Sequence, residues 1–242
     1  MADSALIIAI VSLVASFLAT FLASLTAGGV SLYSEERRRR LETGKLISRY
    51  RDPLFLASSD LLERLETVIR RKLVGLAPQQ GDAFQRDTLF IFTSFVIGQY
   101  LSWVWILRRQ IQYLRYQTGR QDQALTEKLR EITHCLFTDK ILVPTDKTCA
   151  PFMLYRGYQL AIGEIMSVRE PDGSLVCMGY ASFVEKYNDV QDATFRGWFQ
   201  PIEKGIYALI EAEDSGRPRP HERLHELQGH LTQLQRLLLD QV

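Results

Sequence analysis

The chain has 242 residues, of which 46% are hydrophobic and 24% are charged, and its formal net charge is +1. That composition is typical of a globular protein with one domain of ordinary size, and a nearly neutral chain is not a general nucleic-acid binder. The three cysteines lack the paired spacing of a metal site and are odd in number, which argues against a disulfide framework and suits a reducing compartment.

The first predicted element is an uncharged, mostly apolar run between Asp3 and Glu35. A helix of about 20 apolar residues crosses the roughly 30 Å hydrocarbon core of a bilayer. The run is too long, and its start too poor in Lys and Arg, for a cleaved signal peptide, and it is too uniformly apolar for the core helix of a bundle. We therefore predict a short tail over residues 1–4 and a retained transmembrane helix over residues 5–33.

A basic juxtamembrane segment, predicted over residues 34–52, follows this helix. It contains four consecutive arginines, which are Arg37, Arg38, Arg39 and Arg40. From Glu35 to Lys72, eleven Lys or Arg residues stand against seven Asp or Glu residues, an excess of four positive charges. Because positive residues beside a span remain in the cytoplasm, we predict a single-pass protein with its N-terminus outside and the bulk of the chain cytoplasmic. The arginines also suit contact with anionic lipid headgroups.

Two rows of small residues run along the predicted transmembrane helix at a spacing of four. One row comprises Ala15, Ala19, Ala23 and Ala27, and the other comprises Ser12, Ser16, Thr20, Ser24 and Gly28. Adjacent small residues let the backbone of a second helix come close, and the hydroxyl groups can hydrogen-bond across the contact. The pattern therefore predicts a homo-oligomer or a membrane partner helix.

The sequence pattern predicts a cytoplasmic helical domain over residues 53–242. Its first helix is expected to begin with Asp52 as N-cap and Pro53 as the first helical residue, because these types are favoured there. This helix is expected to end near Gly75, where a polar loop begins.

A second apolar run covers residues 88–107 and has two interpretations. A second transmembrane span would place Arg108 and Arg109 outside, against the charge rule. We therefore predict the central buried helix of a bundle, continuing to Tyr116, and keep a second span as the alternative.

The remaining pattern predicts further helices and one β-hairpin, so the fold class is mainly α. Helical spacing or start signals appear over residues 123–137, 181–186, 192–199 and 201–213, and a turn signal at 170–173 predicts a hairpin over about 164–180. The last helix carries a leucine seam, formed by Leu224, Leu227, Leu231, Leu234 and Leu238. The seam predicts docking on the bundle or on a coiled-coil partner.

One stretch matches the H-E-x-x-H pattern of zinc enzymes, with His221, Glu222 and His225. Pro220 directly precedes the first histidine, and Arg223 adds a cation between the two. The leucine seam also directs both histidines toward solvent. We therefore interpret the match as accidental and predict no metal ligands, no cofactor and no catalytic residues.

A second candidate is the pair Arg156 and Glu164, which either line a pocket or form a buried structural ion pair. The neighbouring glycines lack the spacing of a phosphate-binding loop or a dinucleotide fingerprint. Cys135 follows His134, but adjacent helical residues point about 100° apart and cannot act as a nucleophile–base pair. Cys135 is therefore expected to pack as a small apolar residue.

Three segments together resemble a family of uncharacterised proteins with a predicted N-terminal membrane helix. They are Arg49-Tyr50-Arg51-Asp52-Pro53-Leu54, Val96-Ile97-Gly98-Gln99-Tyr100-Leu101-Ser102-Trp103, and the stretch from Arg156 to Ala161-Ile162-Gly163-Glu164. The resemblance covers most of the chain and implies no activity, so it assigns no functional residues.

These features favour a membrane-tethered interaction or scaffold protein that self-associates through its transmembrane helix and binds a cytoplasmic protein partner. The alternatives are a membrane-bound enzyme acting on a lipid or small molecule, and a two-span pore or transport accessory if residues 88–107 also cross.

Overall fold

The computed structural model describes residues 49–70, 73, 88–112, 120–139 and 151–239. The predicted transmembrane helix, the four arginines from Arg37 to Arg40 and the two rows of small residues lie outside the described residues. The same holds for the expected helix end near Gly75 and for the extension to Tyr116. These stay predictions.

The described residues are mainly helical, with one antiparallel two-stranded hairpin, as the sequence predicts. Residues 49–70 form α1, and a π-helical turn at Thr88–Phe92 leads into α2. The helices that follow are α2 (Thr93–Gln112), α3 (Arg120–Phe137), α4 (Arg156–Ile165), α5 (Tyr180–Tyr187), α6 (Ala193–Gly197), α7 (Gln200–Asp214) and α8 (Glu222–Leu239). The hairpin strands are β1 (Ser167–Arg169) and β2 (Leu175–Cys177).

The start of α1 differs from the prediction. Residues 49–51 are already helical, so Asp52 is not an N-cap and Pro53 is not the first helical residue. Tyr50, Leu54 and Ala57 are buried and share one face at helical spacing. Burial of Tyr50 therefore favours helix before the proline and overrides the local start signal.

Helix α2 lies at the centre of the bundle. The stretch Thr88–Gln110 is long and apolar enough to cross a bilayer by length and composition, and 72% of its most apolar part is buried in the protein. Helices α4 and α7 and the hairpin pack against it. Ser102 is fully buried, and its Oγ lies 2.9 Å from Ser167 Oγ on β1, which shows how a polar residue of the run is satisfied inside the domain.

The hairpin is shorter than predicted because α4 continues through Glu164 and Ile165. Its register pairs Val168 with Val176. At the turn, Gly173 adopts a φ of +82°, a conformation that glycine accepts without steric cost. Ser167 Oγ donates to the carbonyl oxygen of Gly163 at 2.7 Å and so satisfies a backbone acceptor at the helix end.

Phe183 is the centre of an aromatic core beside α2. It has no exposed surface, and its ring centroid lies 5.2–5.6 Å from those of four neighbours. The neighbours are Phe95, Tyr187, Phe195 and Phe199. These ring contacts join α2, α5, α6 and the residue that precedes α7.

Helices α3 and α8 pack against each other along the leucine seam. All five seam leucines are at most 2% exposed, so the seam docks on the domain itself and not on a coiled-coil partner. Leu125, Leu129 and Ile132 are buried at helical spacing on α3, where the sequence predicts a helix over residues 123–137.

Candidate functional site

A cleft opens between α2, α3 and α4, and we call it the arginine cleft. Its enclosed space is about 20 Å³, room for about one water molecule, and the rest of the cleft is open to solvent. The walls are mostly apolar and include the ring of Trp105. The polar residues that line it are Tyr100, Arg108, Thr133, Arg156 and Gln159. Among the described lining residues none is acidic, so the two arginines have no carboxylate partner within this set.

Hydrogen bonds to α3 fix two walls of the arginine cleft. Arg108 on α2 donates to Thr133 Oγ1 at 2.8 Å and to the carbonyl oxygen of Leu129 at 3.3 Å. Gln159 on α4 donates through Nε2 to the carbonyl oxygens of Thr133 at 3.1 Å and Leu154 at 2.8 Å. Both side chains are therefore held in place by backbone and hydroxyl acceptors, and the site is organised before any ligand arrives.

The electrostatics of the cleft favour an anion. The pKa of Arg108 is lowered from its ordinary value, mainly because burial removes water from the guanidinium group, and Tyr100 opposes this while the positive charge of Arg156 adds to it. An anionic group placed between the two arginines would relieve both the desolvation and the repulsion. Guanidinium groups bind carboxylates and phosphates through paired N–H donors.

Tyr100 adds an unused hydrogen-bonding group to the cleft. The residue is 2% exposed, and its hydroxyl group makes no hydrogen bond within the described part of the chain. Burial raises the pKa of this phenol above its ordinary range, so it remains a neutral donor. A buried hydroxyl without a partner costs free energy, about 1–3 kcal/mol, which a ligand oxygen would recover.

The structure separates the two residues that the sequence analysis paired. Arg156, at the start of α4, lines the arginine cleft, whereas Glu164 lies eight residues later on the same helix and is exposed. Since both side chains are exposed, they do not form a buried ion pair. The fold places Glu164 outside the set of residues that line the cleft.

The H-E-x-x-H segment sits at the start of α8. The rings of His221 and His225 are 4.7 Å apart, and Glu222 and His225 are exposed. His221 Nδ1 lies 2.5 Å from the carbonyl oxygen of Arg219. The described residues bring no third ligand to these two histidines that would complete a metal site.

Arg223, in the middle of that motif, has a structural role that the sequence does not indicate. It is 3% exposed and donates to the carbonyl oxygens of Cys135 and Thr138, the latter at 2.8 Å. These acceptors lie at the C-terminal end of α3, where carbonyl groups lack partners within the helix and the helix dipole attracts a cation. The motif residue that matters for the fold is therefore the arginine that caps α3.

Two of the cysteines lie in the described part. Cys135 on α3 is buried, as expected, and burial together with the Glu226 carboxylate raises the pKa of its thiol to about 12. Burial raises the pKa of Cys177 on β2 to about 11. Neither thiol is ionised near neutral pH, so neither has the reactivity of a catalytic nucleophile. Cys149 lies outside the described residues.

Tyr100, Arg108 and Gln159 were not predicted as lining residues. The available signal was spacing, because Tyr100, Val104 and Arg108 recur every fourth residue and must share a face of α2. Nothing in the sequence shows that this face meets α3 and the start of α4.

Comparison of the chain with models of known protein families, with curated proteins and with solved structures gave no match.

Proposed function

We propose that this protein is a membrane-tethered interaction protein with a single N-terminal transmembrane helix and a cytoplasmic helical domain. The support for the tether is the uncharged run between Asp3 and Glu35 and the four arginines that follow it. Helix α2 is mostly buried inside the bundle, which favours one span over the two spans of a pore. The domain would thus work at the membrane surface.

Self-association through the small residues is part of this proposal. Ala19→Leu and Ala23→Leu should weaken the oligomers captured by crosslinking in membranes, because larger side chains keep the helix backbones apart. Phe17→Leu and Phe21→Leu change the opposite helix face and serve as controls. Unchanged oligomers in the alanine variants would refute this contact.

The tether is tested by fractionation and by reporter fusions. The full-length protein should remain in the membrane pellet after carbonate extraction, and reporters placed after residues 80 and 120 should report the cytoplasmic side in both fusions. Recovery of intact full-length protein in the soluble fraction would end the proposal, and opposite sides for the two reporters would establish a second span.

The domain's function in this proposal is to bind an anionic group carried on an apolar body. The observation that carries it is the arginine cleft, with apolar walls, two arginines, an unpartnered Tyr100 hydroxyl and no acidic group among its described lining residues. Those described lining residues also include no His, Cys, Asp or Glu, the side chains that most often act as nucleophile or general base. An interaction role therefore has more support than an enzymatic one.

The fluorescence of Trp105 can report ligand binding in the arginine cleft. The full-length protein in lipid nanodiscs, with the other two tryptophans changed to Phe, should change its fluorescence on addition of octanoate and respond far less to octanol. Arg156→Gln should weaken octanoate binding about tenfold or more, since a hydrogen bond to a charged group contributes about 1.5–3 kcal/mol. Arg130→Gln removes an exposed arginine elsewhere on α3 and is the control. Equal responses to octanoate and octanol would remove the role assigned to the arginines.

A further inference from the structure

A cluster of metal-ligand side chains lies between α3 and α8, away from the arginine cleft. One ligand atom from each of Cys135, Glu226 and His230 lies within 4.8 Å of the other two. Cys135 comes from α3, and the other two residues come from α8. The cluster is assembled by packing, because about 90 residues of sequence separate the cysteine from its partners.

Each helix contributes two residues four positions apart. On α8, His230 Nε2 lies 3.8 Å from Glu226 Oε1, and on α3, Glu131 lies one turn before Cys135. Glu131 Oε2 is 3.5 Å from His230 Nδ1. Pairs at this spacing on facing helices are a recurrent way to build metal sites in helical bundles, since both side chains point to the same side of each helix.

One atom of the cluster lacks the hydrogen bond that its burial calls for. His230 Nδ1 is buried, and within the described residues it makes no hydrogen bond, even though Glu131 is near. A buried ring nitrogen without a partner is costly. In zinc sites one nitrogen of a ligating histidine binds the ion and the other faces a carboxylate that fixes the ring, and His230 has a carboxylate on each side.

The chemistry of the donors selects the ion. Thiolate, imidazole and carboxylate together suit Zn²⁺, whereas Mg²⁺ and Ca²⁺ prefer oxygen donors alone. Tetrahedral bonds of about 2.0–2.3 Å place ligand atoms roughly 3.3–3.6 Å apart, so the cluster needs only small side-chain rotations to close on an ion. Glu226 has a side chain that is 47% exposed and gives the ion a path from solvent.

Other charges around the cluster are balanced. The Arg223 guanidinium is bonded to the carbonyl oxygen of Cys135, and Lys128 is paired with Glu131. The two cations, Arg223 and Lys128, thus balance the carboxylates of Glu131 and Glu226. The Cys135 thiol would lose its proton to solvent when it binds an ion. Since Glu131 is already engaged by Lys128, a water molecule is the expected fourth ligand.

We propose that Cys135, Glu226 and His230 form a zinc site that joins α3 to α8. The site goes beyond the interaction role proposed above and does not depend on it. The competing explanation is that Cys135 is only a small core residue beside a chain of ordinary surface ion pairs.

Cobalt is the probe that separates these explanations. The full-length protein in nanodiscs, first treated with chelator, is titrated with Co²⁺ and then with Zn²⁺. We expect one equivalent of Co²⁺ to produce visible bands of tetrahedral cobalt and a near-ultraviolet charge-transfer band that requires a Co–S bond, and Zn²⁺ to displace both.

The variants assign the ligands. Cys135→Ser should abolish the charge-transfer band, and Glu226→Gln and His230→Gln should weaken binding about tenfold or more. Cys177→Ser and His225→Gln are matched controls that remove a thiol on β2 and an exposed histidine on α8. Glu226→Gln changes an exposed side chain and leaves the core intact, so it decides the case even if Cys135→Ser fails to fold. The proposal is overturned if no charge-transfer band appears, if Glu226→Gln binds like the unaltered protein, or if the control variants lose binding instead.

Discussion

The contact between Arg223 and the end of α3 gives a quantitative prediction. The change Arg223→Met keeps most of the apolar stem and removes the guanidinium group, which donates to the carbonyl oxygens of Cys135 and Thr138. Other carbonyls of this helix end keep theirs, since His134 and Leu136 accept from the backbone N–H groups of Thr138 and Leu154. The substitution therefore removes two identified hydrogen bonds.

The magnitude follows from burial. Each lost hydrogen bond from a charged donor costs about 1.5–3 kcal/mol, and loss of a cation at a partly buried helix C-terminus costs up to about 2 kcal/mol more. Removal of the guanidinium also removes its own desolvation cost, which is several kcal/mol and offsets part of this loss. We expect the free energy of unfolding to fall by about 3 kcal/mol.

The assay is urea unfolding of the full-length protein followed by circular dichroism, with chelator present so that metal binding does not contribute. Arg223→Lys, which keeps the charge and loses the fork of donors, should be intermediate. Arg236→Met removes an exposed arginine from the same helix and should change stability by less than about 0.5 kcal/mol. If Arg223→Met were as stable as the unaltered protein, the capping role would be refuted.

Three further predictions concern packing and reactivity. Gly163→Ala should destabilise by about 1–3 kcal/mol, because its Cβ would lie 2.8 Å from Trp105 Cβ, whereas Gly157→Ala on the same helix meets nothing within 4 Å and should be neutral or stabilising by urea unfolding. Phe183→Ala should lose about 3–5 kcal/mol in the same measurement, and Phe183→Leu markedly less. In a variant where Cys177 is the only cysteine, alkylation by iodoacetamide should accelerate about tenfold per pH unit from pH 7 to 10 and level off above its pKa of about 11, and a plateau near pH 8 would contradict its burial.

Helix-forming periodicity was readable from the sequence in α3 and α8, since buried leucines, with Ile132 in α3, recur at three and four residues in both. The start of α1 could not be predicted from the sequence. Asp52 and Pro53 give a strong local start signal, and the burial of Tyr50, which overrides that signal, depends on residues far away in the sequence. The length of the hairpin was not predictable for a related reason, since the turn signal at 170–173 does not show that α4 continues through Ile165.

Only part of the candidate site could be predicted from the sequence. Arg156 was a candidate for either a pocket or a buried ion pair with Glu164, and the structure places it in the lining of the cleft while Glu164 is exposed on the same helix. Arg108 and Tyr100 lie in or next to an apolar run, so the sequence provided no reason to place them in a site. Arg223 was considered only as a cation that disfavours zinc binding by His221 and His225. Its real contacts are on a different helix, which a pattern within one segment cannot reveal.

The sequence by itself determined the mainly helical class, the position of the central apolar helix, the docking face of the last helix and the presence of a hairpin after α4. These follow from periodicity and turn chemistry, which act between residues a few positions apart. Tertiary structure alone decided that two arginines meet in one cleft, that Arg223 caps α3, and that a cysteine and a histidine from opposite halves of the domain become neighbours. Those contacts depend on which helix faces pack together, and the burial of apolar surface over the whole chain determines that packing.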